Sequence, residues 1–224
     1  NLNPDYAFEH FVEGDCNRLA RSAGFAVAQK PGGDAFNPLL IYGGVGLGKT
    51  HLAQAIGIEV KKNFPNKTVL YVQSEKFITQ FIESIRNNNQ NDFIHFYQMI
   101  DVLIIDDVQY FAGKDKTQDV FFHIFNHLHQ LGKQVILTAD RAPVDIQGIE
   151  QRLLSRFKWG LSADLQLPDY DTRIEILERK MKSDGLEMPK EVVKYLAYNI
   201  SSNVRELEGA LISLLAQSSL NKRE

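Results

Sequence analysis

The chain has 224 residues, 44% of them hydrophobic and 24% charged, with a formal net charge of -3. That length suits one large domain or a domain with a small appendage, and that charge excludes a broad basic field, so any nucleic-acid contact must come from a local patch or from several copies arrayed side by side. A single cysteine, Cys16, excludes an internal disulfide framework and fits a reducing cytosol, and no apolar stretch approaches the length that crosses a bilayer.

Residues 1–30 carry aromatic and small apolar side chains (Phe8, Phe11, Ala20, Ala23, Ala26, Val27), at helical spacing from about Cys16 onward. Pro31-Gly32-Gly33-Asp34 reads as a loop. Leu39-Leu40-Ile41-Tyr42 reads as a buried strand that runs straight into Gly43-Gly44-Val45-Gly46-Leu47-Gly48-Lys49-Thr50, and helical spacing (Leu52, Ala55, Ile56) follows to about Asn63. This is G-x-x-x-x-G-K-T with a strand before it and a helix after it, the context that a P-loop requires. The glycines let successive backbone N–H groups turn toward one anion, and the helix start near Gly48 adds its positive dipole end. Lys49 supplies a point charge to the β and γ phosphates, and the Thr50 hydroxyl can ligate Mg²⁺. The flanking strand and helix favour this over a glycine-rich turn with a chance Lys-Thr.

A turn at Pro65-Asn66 leads to a second strand at 69–72. Ser74 is placed as the N-cap of a helix with Phe77, Ile78, Phe81, Ile82 and Ile85 on one face. Residues 87–91, four asparagines and a glutamine, read as a polar loop, and residues 93–99 as a short helix. Val102-Leu103-Ile104-Ile105 is a third strand ending in Asp106 and Asp107. A carboxylate at the carboxyl end of a parallel strand can face the Mg²⁺ beside a P-loop, the role given to Asp106, and Asp107 is the candidate that polarises the attacking water. Residues 120–131 read as a helix, 135–138 as a fourth strand, and Leu165-Gln166-Leu167 before Pro168 as a fifth. Near-continuous Val, Ile and Leu runs without alternation predict a parallel sheet covered on both faces. Beyond Pro168 only helical faces appear: Ile174, Leu177 and Met181; then Val192, Val193, Leu196 and Ala197; then Val204, Leu207, Leu211 and Leu214.

Three further features could complete an ATP site. In Thr138-Ala139-Asp140, just past the fourth strand, a polar group could sense the γ-phosphate through a water, although a strand-ending turn explains it nearly as well. In Arg152-Leu153-Leu154-Ser155-Arg156-Phe157 an arginine could reach a nucleotide held by a neighbouring subunit, the alternative being a surface helix with two arginines four apart. Arg205 could reach from the last helical face to the γ-phosphate, or pair with Glu206 or Glu208 at its helix start. Of the histidines His51, His95, His123, His127 and His129, the pair His123 and His127 has ligand spacing, but no third ligand group accompanies it, so they read as solvated or packing residues.

In this order the five pieces resemble the AAA+ ATPases. More closely, the chain resembles the DnaA family of bacterial chromosomal replication initiators, on Asn3-Pro4-Asp5-Tyr6-Ala7-Phe8-Glu9-His10-Phe11-Val12-Glu13-Gly14 with Asn17, on residues 42–52, on Ile105-Asp106-Asp107-Val108-Gln109, on Ser155-Arg156-Phe157-Lys158-Trp159-Gly160-Leu161 and on Ser202-Asn203-Val204-Arg205-Glu206-Leu207-Glu208-Gly209-Ala210-Leu211. The resemblance implies an α/β fold, an AAA+ P-loop NTPase with a five-stranded parallel sheet sandwiched by helices, over residues 1–168 with extra helices at about 74–99. A small all-α lid of three helices would span 169–224. It implies that Phe8, Phe11, Val12 and Asn17 line the base pocket, that the loop from Gly43 to Thr50 and His51 hold ATP or ADP, and that Thr50 and Asp106 hold Mg²⁺ through water. Asp140 and Arg205 become the two sensors. Arg156, helped by Arg152, would reach the nucleotide of the next copy in a helical filament. Ile82, Lys114 and Lys116 would face single-stranded DNA.

Most relatives of this AAA+ design use Glu where Asp107 stands. Asp is one methylene shorter, which predicts slow hydrolysis that acts as a switch. The chain begins without Met, which suggests a piece of a longer protein. The resemblance would put a duplex-reading helix-turn-helix beyond the lid and segments that bind a replicative helicase or loader before residue 1, so residues 1–224 are expected to act in the cytoplasm on nucleotide, on their own copies and on single strands. A helicase loader of similar design is the alternative. A metabolic ATPase or kinase would need an acceptor pocket with its own acid and base, and no such set appears.

Overall fold

The computed structural model describes residues 2–221. Nine α-helices and five strands are present among them. The strands are β1 (Leu39–Tyr42), β2 (Val69–Gln73), β3 (Val102–Asp106), β4 (Gln134–Ala139) and β5 (Leu161–Asp164). They form one parallel sheet in the order β2-β3-β4-β1-β5. This is the α/β architecture that the resemblance implied.

The helices are α1 (Arg18–Gln29), α2 (Lys49–Asn63), α3 (Ser74–Arg86), α4 (Gln90–Gln98), α5 (Asp115–Gln130), α6 (Gln151–Phe157), α7 (Tyr170–Asp184), α8 (Lys190–Asn199) and α9 (Val204–Asn221). Successive strand residues point to opposite faces, and here both faces are buried. Leu40, Leu103, Ile105, Val135 and Leu137 pack with Phe77, Phe121, Phe125 and Phe157 from α3, α5 and α6. Leu39, Ile41, Val102, Ile104 and Ile136 pack under α1 and α2. A separate core of Leu177, Val193, Leu196, Ala197, Leu207 and Leu211 holds α7, α8 and α9 together. The Asp169 carboxylate caps α7 by accepting from the Thr172 N–H at 2.8 Å, and Gly185 at φ +65° ends it. No helix among the described residues is long and apolar enough to cross a membrane.

Several expectations are corrected. The fifth strand lies at Leu161–Asp164, four residues ahead of its expected place, in register with β1 (Leu161 beside Leu39, Asp164 beside Tyr42). It is an edge strand, so Ser162 and Asp164 are tolerated in it and no apolar run announces it. Residues 165–167 leave the sheet: Leu165 still donates to the Tyr42 carbonyl at 2.8 Å, but Leu167 is exposed. Ser74 is the first residue of α3 and caps nothing; its buried Oγ has no hydrogen-bond partner among the described residues. The polar loop ends at Asn89, because Gln90 and Asn91 already belong to α4. Ile82 turns away from the α3 core face and is 42% exposed. Leu214 is likewise exposed, and Leu215, four residues beyond Leu211, packs on the α7–α9 core in its place. The first turn of α5, from Asp115, precedes the apolar residues that mark it.

Candidate nucleotide site

All five strands point their carboxyl ends toward the loop between β1 and α2, where ligands collect in open α/β sheets. Gly43 tethers that loop by donating to the Ala139 carbonyl of β4 at 3.2 Å. Gly48, at φ +100°, turns the chain into α2, and a Cβ there would press on the Phe11 ring at 3.3 Å. Lys49, the first residue of α2, is buried, and its Nζ donates to the carbonyls of Gly43 and Gly44 at 2.8 and 2.7 Å. Burial pulls its pKa down, opposed by the carboxylates of Asp107, Asp106 and Asp140.

Asp106 closes β3 as a buried carboxylate. Its Oδ2 accepts from the Thr50 hydroxyl at 2.8 Å and the Tyr71 hydroxyl at 2.6 Å, and its Oδ1 accepts from Thr138 Oγ1. Thr138 in turn accepts from the Asp107 N–H at 2.8 Å. Asp107 has a left-handed backbone, φ +61°, a rare conformation for a side-chain-bearing residue. The turn carries its carboxylate into a cavity shared with Lys49, Thr50 and Asp140. Burial and the neighbouring Asp106 raise its pKa, while a hydrogen bond from Gln109 Nε2 at 3.2 Å opposes that. Gln109 also accepts from the Asp140 N–H at 3.2 Å and so ties the two acids together. Two hydrogen bonds of 2.8 Å from Arg141 hold Asp140 below the usual carboxylate range.

Two cavities flank the start of α2. One, of about 420 Å³, holds Val45, Gly46, Lys49, Thr50, Asp107, Asp140 and Arg205. The other, of about 330 Å³, is lined by Phe11, Val12, Asn17, Leu47 and, from α7, Ile176, Arg179 and Lys180. Helix α9 closes both: the N–H groups of Val204 and Arg205 reach the Gly46 carbonyl at 3.0 and 3.3 Å. Gly46 has φ +75°, and a Cβ there would lie 2.6 Å from Asn203 Oδ1, so only glycine admits this approach.

Asn17 shapes its cavity by donating to the Val12 carbonyl at 2.9 Å and accepting from the Gly14 N–H at 3.0 Å. The His51 ring packs beside Tyr6 and Phe11, at 5.0 and 5.2 Å between centroids, and burial pushes its pKa down to about 4, so it is neutral at physiological pH. Phe8, expected in the base pocket, lines neither cavity; it packs edge-on to Phe25 beneath Arg21. Gly43 and Gly44 act through their carbonyls on Lys49. Arg152 and Arg156 lie away from both cavities. Arg156 donates to Asn126 Oδ1 at 2.8 Å, with its guanidinium 3.9 Å from the Trp159 ring centroid. Arg152 pairs with Asp119 and Glu150. Lys114, Lys116 and Ile82 are exposed near the start of α5 and the end of α3. Sequence reasoning assigns no nucleotide-site role to Tyr71, Gln109 or Glu208; Tyr71 becomes visible only once β2 is paired with β3.

The donor set suits a hard cation. Thr50 and Asp106 offer oxygen ligands, and no group of three or more His, Cys, Asp or Glu among the described residues competes with them. Mg²⁺ characteristically takes one or two protein oxygens and completes its shell with phosphate and water.

The profile of the bacterial DnaA ATPase domain matches residues 2–164. The chain is 71% identical over 223 residues to the chromosomal replication initiator protein DnaA of Flavobacterium psychrophilum, covering 100% of this chain and 47% of that protein. Against the same protein of Bacteroides thetaiotaomicron it is 57% identical over 224 residues, covering 100% and 48%. The chain thus spans about half the length of the curated relatives it matches. Among solved structures, domain III of the Thermotoga maritima replication initiation protein DnaA matches at TM-score 0.96 and 44% identity, over 100% of this chain and 93% of that one. A replication initiator DnaA bound to AMPPCP and single-stranded DNA matches at 0.87 and 42%, over 95% and 65%. The DnaC helicase loader, at 0.62 and 14% over 73% of this chain and 100% of that one, shares the fold alone.

Proposed function

We propose a function on one premise: this chain belongs to the bacterial DnaA ATPase domain family. It is the nucleotide-switched part of a chromosomal replication initiator, with residues 1–168 as an ATP-binding core and 169–224 as its lid, residues 1 and 222–224 lying outside the described ones. The observation that carries this reading is the hydrogen-bonded set Thr50, Asp106 and Thr138 beside a P-loop whose Gly43 and Gly44 carbonyls hold Lys49 and whose Gly46 carbonyl accepts from the Arg205 N–H.

On this reading Lys49 exchanges its two carbonyl partners for phosphate oxygens, a short rearrangement for a flexible ammonium. Thr50 and Asp106 would hold Mg²⁺ through water, and the ion would supply positive charge that offsets the phosphates' negative charge. Asp107 polarises a water that attacks the γ-phosphorus as the bond to the β-γ bridging oxygen breaks, giving ADP and phosphate. Its short side chain makes this slow, and hydrolysis resets a switch. Asp140 and Arg205 register the γ-phosphate. Arg156 of one copy, with Arg152 beside it, completes the nucleotide site of the next, so ATP favours assembly into a filament. The DnaA structure bound to AMPPCP and single-stranded DNA supports assigning both ligand classes here, with Ile82, Lys114 and Lys116 on the DNA side. Cytoplasmic action at an origin follows, with a helicase or its loader as partner through other parts of the protein. The helicase-loader alternative shares only the fold.

Lys49→Ala tests the site. ATP binding measured by calorimetry is expected to vanish, while thermal unfolding of the nucleotide-free chain stays cooperative. Unchanged affinity would refute the site.

A further inference from the structure

The two cavities beside α2 abut, and the wall between them has a small membership: Tyr6, Gly48, His51, Val204 and Glu208 line both. One cavity carries the phosphate-binding groups and the other the apolar groups suited to a base. The sugar of a nucleotide joins base to phosphates, so it must lie along the shared wall. Gly48 and Val204 have no polar side-chain atoms. His51 Nε2 already lies 3.3 Å from the Ala7 carbonyl, with its ring packed beside Tyr6 and Phe11. That leaves the Glu208 carboxylate, the Tyr6 hydroxyl and at most one acceptor nitrogen, Nδ1, of His51.

A ribose presents two neighbouring hydroxyls, both donors. A carboxylate presents two acceptor oxygens and no donor, which makes it the better match, and dinucleotide-binding folds use a carboxylate for this task. Glu208 is half-buried, and its carboxylate makes no hydrogen bond or ion pair to a described residue. Burial raises its pKa, opposed by Lys180 and helped by Asp184. Arg179 and Lys180, paired with Glu175 and Asp184, line one cavity and Arg205 lines the other, so Arg205 is the cation that offsets the repulsion between this carboxylate and a triphosphate.

We propose that Glu208 is a specificity-determining residue that accepts the ribose hydroxyls and makes the site prefer ribonucleoside over deoxyribonucleoside triphosphates. The inference rests on the nucleotide-site reading above. Glu208 lies one turn beyond Arg205 on α9, so a single helix reports on both the sugar and the γ-phosphate.

The test is equilibrium binding of ATP, 2′-deoxy-ATP and 3′-deoxy-ATP to the unchanged chain and to Glu208→Gln, Glu208→Ala and Tyr6→Phe. The unchanged chain is expected to prefer ATP about 10- to 100-fold, the range of a hydrogen bond to a charged group. Glu208→Ala is expected to lose that preference by weakening ATP more than either deoxynucleotide, each of which keeps one hydroxyl, and Glu208→Gln, with one acceptor oxygen, to keep part of it. Equal binding of ATP and 2′-deoxy-ATP by the unchanged chain overturns the assignment and leaves the nucleotide site standing. So does a full preference retained in Glu208→Ala, or one lost only in Tyr6→Phe. Failure of the unchanged chain to bind ATP at all overturns both.

Discussion

The carboxylate of Asp106 is held by three hydroxyls: Thr50 and Tyr71 on one oxygen and Thr138 on the other. Such a carboxylate cannot rotate freely, and its orientation is set before any cation arrives. On the proposed reading Thr50 also helps to hold the cation itself, whereas the Tyr71 hydroxyl, supplied by the neighbouring strand, acts through Asp106. Burial and this hydrogen bond push the Tyr71 pKa far upward, so it stays a donor at any working pH. Tyr71→Phe removes that donor and keeps the ring. The Mg²⁺ concentration that half-saturates nucleotide binding is expected to rise about tenfold, as is usual when an outer partner of a metal ligand is lost, with metal-free ADP affinity unchanged. A magnesium titration followed by calorimetry reads both numbers. An unaltered midpoint would reduce Tyr71 to a packing residue.

Helix α9 meets the P-loop by backbone hydrogen bonds to the Gly46 carbonyl, and it carries Arg205 into the phosphate cavity. Of the two alternatives for Arg205, a helix-start ion pair is the one not formed among the described residues: Glu206 bonds Ser202, and Glu208 faces the shared wall. A guanidinium free to meet a phosphate should distinguish three phosphates from two. Arg205→Ala is expected to weaken ATP about tenfold, the scale of one charge-assisted hydrogen bond, while ADP changes less than about twofold. Competitive binding of the two nucleotides measures this. Equal weakening of both would assign Arg205 to lid placement alone.

The same elements show what the sequence could disclose. Strands β1, β3 and β4 lie inside the sheet and are buried on both faces, so unbroken apolar runs marked them. The edge strand β5 needs apolar residues on one side only, and the run at 165–167 drew attention away from it. Local motifs exposed Lys49, Thr50 and Asp106 because their spacing is their function. Tyr71 and Glu208 come from other elements and join the site through sheet register and lid packing, which no local spacing encodes. Phe8 sits three residues from Phe11 in an aromatic string, and only the packing of Phe25 and Arg21 decides that it stays out of the cavity.

At the scale of the molecule, the proposed filament turns on a residue that does nothing for its own site. Arg156 lies outside both cavities and is held by its neighbours: its Nε–H donates to Asn126 Oδ1, and Trp159 and Phe122 lie under its guanidinium at 3.9 and 5.2 Å. An arginine fixed this way loses little further freedom when it meets a phosphate, so its binding is preorganised. Each copy carries a net charge of -3, so copies repel weakly at long range and need a specific attraction to assemble. In the proposed filament a γ-phosphate at the edge of one copy and the Arg156 guanidinium of the next would supply it, and the array would repeat the exposed Lys114 and Lys116 into a basic track that one copy lacks. Arg156→Ala is therefore expected to bind ATP within about twofold of the unchanged chain, because a residue outside both cavities leaves local affinity alone. It should also stay monomeric by light scattering under conditions, with ATP and a single-stranded oligonucleotide, where the unchanged chain grows. ADP should leave both monomeric. Growth of the Arg156→Ala chain to the same size would remove this arginine from the assembly, and an unchanged chain that stays monomeric throughout would remove assembly from what these residues do alone.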